Sequence, residues 1–403
     1  MEILTEEFMA EEVPSRNCLK RLVWINNIPT PYRLHLFEAI QIQSERRGIG
    51  FEGVFMAARM RNRRFHEDLP STLGKYVVEG GLQIHYKDYA THINFRLITR
   101  MLLHPPEYLV VCGWTELTSA LLILCNRLRR NRAKILMWAE ANRHSMQRRT
   151  GPIPLLRRYL CEQCDANVVP GQIARDTVRN EFGVTVPPFI TLPNLVSENI
   201  FATKVSAARI RKSEIRYERG LRKEDRVLIC CARINEEQKG LQRFLETVRE
   251  VWPSWVTMCI AGDGPDKDNL NRWLQGSSLS SKVRLMGQLK TSELVELLAA
   301  ADIFVLPSML DPNPLSVIEA LWAELPIMLS QRCGNWPEAV EIGNNGWVFD
   351  PSDSQSVRTA FQAMIETDSE RLGIMGRFSY RIARERFSTE QCIAKFFDEI
   401  ESL

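Results

Sequence analysis

Two carboxylates, Asp311 and Glu319, stand with seven residues between them in a stretch that changes character twice. The apolar run Ile303 to Leu306 ends at Pro307, the turn Asp311-Pro312-Asn313-Pro314 follows, and an apolar-periodic segment runs from Leu315 to Leu325. That order predicts a strand, a loop and a helix N-terminus. A helix start offers unpaired backbone N–H groups and the positive end of the macrodipole, which suits a phosphate. Two acids flanking those amides would bracket a polyol whose phosphates the amides hold. Taken as residues alone, the plainer reading also stands: Asp311 as a turn residue and Glu319 as a solvated helix residue. Arg233 and Lys239 sit on the loop after the apolar run Val227 to Cys231. A guanidinium fork and an ammonium point charge suit a pyrophosphate, although two basic residues on a loop are also what a solvated surface carries.

Groups of this kind need a scaffold, and the chain supplies strand, turn and helix in two successive runs. Leu22 to Ile25 is a short apolar strand, followed by Asn26-Asn27-Ile28-Pro29-Thr30-Pro31-Tyr32-Arg33 and a helix through Ile40. In that loop Asn27, Thr30 and Arg33 either line a ligand site or belong to a turn that the prolines fix. Phe51 to Met56, Tyr108 to Val111, Ile135 to Trp138 and Asp165 to Pro170 read as further strands, with helices over Glu116 to Arg129 and Leu155 to Cys164. The second run has strands at Val227 to Cys231, Met258 to Ala261, Val283 to Met286 and Ile303 to Leu306. Thr291 is expected to cap the helix that follows Leu289, and Gly334, Asn335 and Gly346 to occupy turns requiring positive φ. This is the pattern of a doubly wound α/β fold, whose ligands sit beyond the carboxyl ends of the strands. G-x-G-x-x-G is absent from both openings, which argues against a dinucleotide-binding oxidoreductase.

The acidic pair, with Leu306-Pro307-Ser308, Glu319-Ala320 and Asn345-Gly346 around it, resembles that of retaining nucleotide-sugar glycosyltransferases of the GT-B fold, specifically glycosyltransferase family 4. Arg233 with Lys239-Gly240 is similar to the family's Arg…Lys-Gly pair, Thr191-Leu192-Pro193-Asn194-Leu195-Val196 to its exit from the first domain, and Asn-x-Pro-x-Pro-Tyr-Arg to one of its openings. The resemblance implies two Rossmann-like domains facing across a cleft: 1–20 a mobile extension, 21–205 the acceptor-side domain, 206–222 a linker, 223–384 the nucleotide-sugar domain. An amphipathic helix over 385–403 would pack back on the first domain. By the same resemblance Asp311 contacts the transferred sugar, Glu319 the ribose hydroxyls, and the main chain near Leu289 the nucleobase. Asn313 and the amides of Leu315 and Ser316 complete the donor set, with Arg233 and Lys239 on the diphosphate. The family often places a histidine where Glu140 stands, so Glu140 is expected to hydrogen-bond an acceptor hydroxyl or stabilise charge at the sugar, with His144 an ordinary surface residue. The implied activity is hexosyl transfer with retention from a UDP- or GDP-sugar to a hydroxyl of a glycan or lipid-linked oligosaccharide. No cofactor and no metal are expected, since no Asp-x-Asp ligand pair is evident in a donor-binding context. Two departures stand out: the first acid is usually Glu, and the position of Pro314 is usually Gly, so one potential amide donor is missing. They motivate an alternative, a non-catalytic GT-B subunit; a nucleotide-sugar epimerase on the same fold is another.

Composition sets the remaining bounds. At 403 residues, 45% hydrophobic and 25% charged, the chain accommodates two globular domains of ordinary size. No apolar run approaches the roughly 18 residues that span a bilayer, and the acidic N-terminus lacks a signal pattern. A cytoplasmic protein is expected, with reduced thiols among its ten cysteines; Cys161 and Cys164 form the one C-x-x-C, with no second pair to make a zinc site. All six histidines fall within the first 144 residues. Arginine clusters at 59–64, 127–134 and 143–158 despite a net charge of only +3. These read as a solvated face or as a contact with an anionic membrane surface or lipid pyrophosphate; without interleaved aromatics, nucleic acid is not expected.

Overall fold

The computed structural model describes residues 20–58, 76–86, 89–144 and 152–403. Residues 1–19 of the extension expected over 1–20, the arginines Arg59, Arg61, Arg63 and Arg64, and Arg148 and Arg149 lie outside the described residues, while Lys20 already belongs to the first strand. The chain forms two compact units. The first takes the described residues up to Pro170, then Ala174–Pro193 and Thr389–Leu403; the second takes Gly171–Ile173 and Asn194–Ser388.

In the first unit the strands are β1 (Lys20–Asn26), β2 (Ile49–Phe55), β3 (Val77–Val78), a hairpin of β4 (Leu82–Tyr86) and β5 (Tyr89–Ile93), β6 (Tyr108–Cys112), β7 (Lys134–Trp138), β8 (Ala166–Val169) and β9 (Phe189–Thr191). Seven of them form one parallel sheet in the order β3-β2-β1-β6-β7-β8-β9. Leu22, Val23, Trp24 and Ile25 are each at most 1% exposed. Both faces of β1 are therefore covered, which is why it reads as a continuous apolar run rather than an alternating one. The helix Pro31–Arg46 follows β1, with Pro31 in its first turn and Thr30 Oγ1 accepting from the Arg33 amide at 3.4 Å. The C-terminal helix Thr389–Glu401 belongs to this unit: Phe396 lies 5.7 Å from Trp24, and Arg47 donates to Asp398 at 2.7 Å and Glu401 at 2.9 Å. The expected single helix over 385–403 is in fact interrupted. Helix Ser369–Arg386 ends at the buried Phe387, and a new helix starts at Thr389.

The second unit has β10 (Arg226–Cys231), β11 (Val256–Ala261), β12 (Val283–Gly287), β13 (Ile303–Leu306), β14 (Ile327–Ser330) and β15 (Gly346–Phe349). All are parallel, in the order β12-β11-β10-β13-β14-β15. In each unit the strand order reverses beside the first strand, between β1 and β6 and between β10 and β13. A doubly wound sheet opens its ligand crevice at that reversal. Segment 206–222, expected to link the domains, carries helices Val205–Arg209 and Lys212–Glu218 of the second unit. Its charge has a structural use: Lys212 and Arg216 each reach Asp302 at 2.6 Å, just before β13.

Four smaller expectations are corrected. Lys290, not Thr291, is the N-cap of helix Thr291–Ala300, and its amide donates to Glu293 Oε2 at 2.9 Å. None of Gly334, Asn335 and Gly346 has positive φ, Asn335 standing at −107°. Gly346 opens β15, where an added Cβ would lie 2.0 Å from the Ile327 carbonyl oxygen, so the constraint there is space between strands.

Candidate functional site

In the second unit, the loops beyond β10 and β13 flank the strand-order reversal, and they bring the expected residues together. After β10, Asn235 caps the one-turn helix Glu236–Lys239, accepting from the Gln238 amide at 2.9 Å. Gly240 ends that turn at φ 58°, where a Cβ would press to 2.8 Å on Met309 Cγ, so glycine meets both conditions at once. The turn aims Lys239 at Asp311, 72 residues away, in a buried ion pair. Burial alone would lower the Lys239 ammonium, but Asp311 outweighs it through charge and hydrogen bonding, and the net direction is upward. Arg233, on the same loop, is exposed and has no ion-pair partner among the described residues.

Asp311 is held from behind. Its backbone forms a bridge with Cys333, its carbonyl accepts from the Gly334 amide at 2.9 Å, and Leu310 N–H donates to the Gln238 carbonyl at 2.9 Å. Asn335, 1% exposed, donates through Nδ2 to the Pro314 carbonyl at 2.9 Å. Gly334 and Asn335 thus fix the acidic turn. Asn313 is buried and accepts from Asn194 Nδ2 at 3.2 Å. Pro314 is the N-cap of helix Leu315–Trp322 and contributes no side-chain cap, so the first amides, Leu315 and Ser316 among them, have no intrahelical acceptor. Both residues are only partly buried.

Glu319 lies one turn into that helix. Burial pushes its carboxyl up to about 7, and no counter-charge among the described residues offsets this. Burial, then the nearby Glu319 carboxylate, hold the Cys231 thiol at the end of β10 well above its usual range. A partly accessible acid without a cation, one turn beyond free amides, is built to receive hydroxyl donors. Leu289 follows β12 and packs half-buried on the core.

In the first unit, Arg33 and Glu140 meet: Nη2 donates to Glu140 Oε1 at 2.9 Å, with the guanidinium 4.6 Å from the Trp138 ring centre. Arg33 is 4% exposed, and its Nη1 has no hydrogen-bond partner among the described residues. Thr30 is buried as the helix cap, and Asn27 Oδ1 accepts from the Ile28 amide at 2.9 Å, so both shape the turn after β1. The His144 ring accepts from Arg143 Nε at 3.2 Å. The sequence reading overlooked a second polar group at the reversal. Glu116, which precedes the helix Leu117–Arg127, accepts from both the amide and Nδ1 of the fully buried His92 at 3.0 Å. Only the confinement of histidine to this half of the chain hinted at it. Cys161 and Cys164 are core thiols; burial pushes Cys161 up to about 12, and Cys164 donates to the Leu160 carbonyl at 3.3 Å.

Comparison with known proteins fits this geometry. Residues 211–378 match the family model described as glycosyl transferases group 1. Sulfoquinovosyl transferase SQD2 of Arabidopsis thaliana is 26% identical over 196 residues, 45% of this chain and 36% of that protein. Alpha-monoglucosyldiacylglycerol synthase of Acholeplasma laidlawii is 32% identical over 137 residues, 33% of this chain and 34% of that protein. The chain thus spans about a third of the length of these curated relatives. Among solved structures, HepE of Anabaena in complex with UDP superposes with a TM-score of 0.74 at 16% identity, over 96% of this chain and 100% of that one. The fold is GT-B, and the match to glycosyl transferases group 1, over residues 211–378, lies within its second unit.

Proposed function

We propose that the protein is a retaining glycosyltransferase of family 4, which moves a hexose from a UDP- or GDP-sugar to a hydroxyl of a glycan or lipid-linked acceptor. The observation that carries this reading is the Lys239–Asp311 pair beside the open amides of helix Leu315–Trp322, with Glu319 one turn further on. The donor exchanges partners with that pair: Lys239 and Arg233 take the diphosphate, and Asp311, released from the ammonium, takes sugar hydroxyls. Glu319 receives the ribose hydroxyls, and the main chain near Leu289 faces the base. As the glycosidic bond breaks, negative charge grows on the diphosphate, and in this scheme the two cations and the Leu315 and Ser316 amides stabilise it. The missing amide at Pro314 leaves more of that work to the cations. Asp311 orients the sugar rather than attacking it, the departing phosphate accepts the acceptor's proton, and Glu140 holds the acceptor hydroxyl. No metal is required in this scheme. HepE was solved with UDP, and a UDP-sugar is therefore the first donor to try. The relative named for monoglucosyldiacylglycerol supports a lipid acceptor, and with it a peripheral location at the cytoplasmic membrane face.

The test is the stereochemistry of transfer, read by NMR of the anomeric proton. An α-linked donor giving an α-linked product is expected; a β-linked product overturns retention. Donor binding without release of nucleoside diphosphate, with every acceptor class tried, would favour a non-catalytic subunit.

A further inference from the structure

We infer that a three-helix face of the first unit docks on an anionic lipid bilayer. The helices Phe95–Leu103, Leu117–Arg127 and Pro152–Glu162 lie side by side, the middle one touching both others. The middle helix buries Leu122 and Ile123 in the core yet turns a second apolar stripe outward: Leu117, Leu121 and Leu124 are 36–40% exposed, and Leu128 just beyond is 89% exposed. Its neighbours continue the stripe, with Phe95 and Leu103 about two-thirds exposed on one side and Leu155, Leu156 and Tyr159 about half or more exposed on the other. Single exposed leucines need no explanation, but a run across three adjacent helices does.

The charge around the patch selects its occupant. Glu162 is the only acid on the three helices. Arg129 and Arg130, immediately after the middle helix, are exposed and have no ion-pair partner among the described residues. Apolar side chains rimmed by unpaired arginines match the boundary between acyl chains and anionic head groups. No helix among the described residues is long and apolar enough to cross the membrane, so contact is with its surface. The inference gives the proposed peripheral location its surface, and it rests on that reading for the membrane alone, not for sugar transfer.

The test is flotation with vesicles of phosphatidylcholine containing phosphatidylglycerol, and of phosphatidylcholine alone. Wild type should float with the anionic vesicles only, and progressively less as salt rises. Arg129→Gln/Arg130→Gln should weaken partition about 30-fold, roughly fivefold for each arginine lost, and Leu121→Ser/Leu124→Ser should release the protein. All four sites are exposed, so circular dichroism and nucleotide titration should match wild type. Wild type that ignores vesicles overturns both this face and the membrane location, while titration still reports on the donor site. Flotation unchanged in the variants overturns the face alone. Dimers that Leu124→Ser dissociates would assign the patch to a second copy of the chain and overturn the lipid reading.

Discussion

Replacing Glu319 by glutamine is expected to stabilise the protein above neutral pH while weakening its hold on the donor. Burial raises this carboxyl from 4.5 to about 7. A folded-state value above the unfolded one means that the folded protein keeps a proton that the unfolded chain has released. The associated stability is fully present below about 4.5 and is lost as pH rises through 7. That difference corresponds to about 3 kcal/mol for a fully enclosed group. Glu319 keeps part of its surface in water, so a gain of about 1–3 kcal/mol is expected for Glu319→Gln at pH 8, and almost none at pH 4.5. If the carboxylate accepts ribose hydroxyls, the wild-type dissociation constant should rise about tenfold between pH 8 and pH 6, as the acid protonates. The glutamine variant should bind more weakly at pH 8, by about 1.5–3 kcal/mol, and lose the pH dependence. Urea unfolding at the two extremes, paired with nucleotide titration at pH 6 and pH 8, measures all of this. A variant less stable than wild type at pH 8, or a stability gap that does not change with pH, would show that Glu319 is not an uncompensated buried charge.

Three further outcomes follow from the same geometry. Lys239→Ala should cost about 3–5 kcal/mol of stability by removing the counter-charge that faces the buried Asp311 carboxylate, and Lys239→Ala/Asp311→Ala should recover much of it; additive losses in urea unfolding would mean the pair is not coupled. Glu140→Gln should slow transfer by about 100-fold with donor affinity unchanged, since the group acts on the acceptor side; an equal loss of donor affinity would contradict that role. Donor binding should survive EDTA, and a loss restored by Mn²⁺ or Mg²⁺ would refute the metal-free scheme.

The parts of this fold that rest on local physics were legible. Strands buried on both faces show as unbroken apolar runs, as in Leu22 to Ile25 and Ile303 to Leu306, and proline and glycine mark the turns between them. The hairpin of β4 and β5 lacks such a signal because Leu82 and Ile84 are exposed and polar residues alternate with them. What the chain concealed were contacts between distant residues. Nothing local says that Lys239 reaches Asp311 or that Arg33 reaches Glu140, 107 residues away. Both were legible only as separate charges, Lys239 with a solvated-surface alternative and Asp311 and Arg33 each with a plain turn as the alternative. Charge density also misled: the Lys212 and Arg216 segment reads as linker until Asp302 supplies a partner. Gly346 shows why a glycine cannot be assigned to a turn by type, since a neighbouring strand demands it equally.

The most direct measurement is calorimetric titration of UDP-, GDP- and ADP-sugars, without added metal, into wild type and Arg233→Ala. Arg233 is exposed and has no ion-pair partner among the described residues, so the substitution is expected to leave the fold intact and to act on ligand binding. The account predicts binding of one nucleotide series to wild type, weakened in the variant by about 1.5–3 kcal/mol for the lost charge-assisted contact. No binding by any series, or equal binding by both proteins, would contradict a donor site at the Lys239–Asp311 pair.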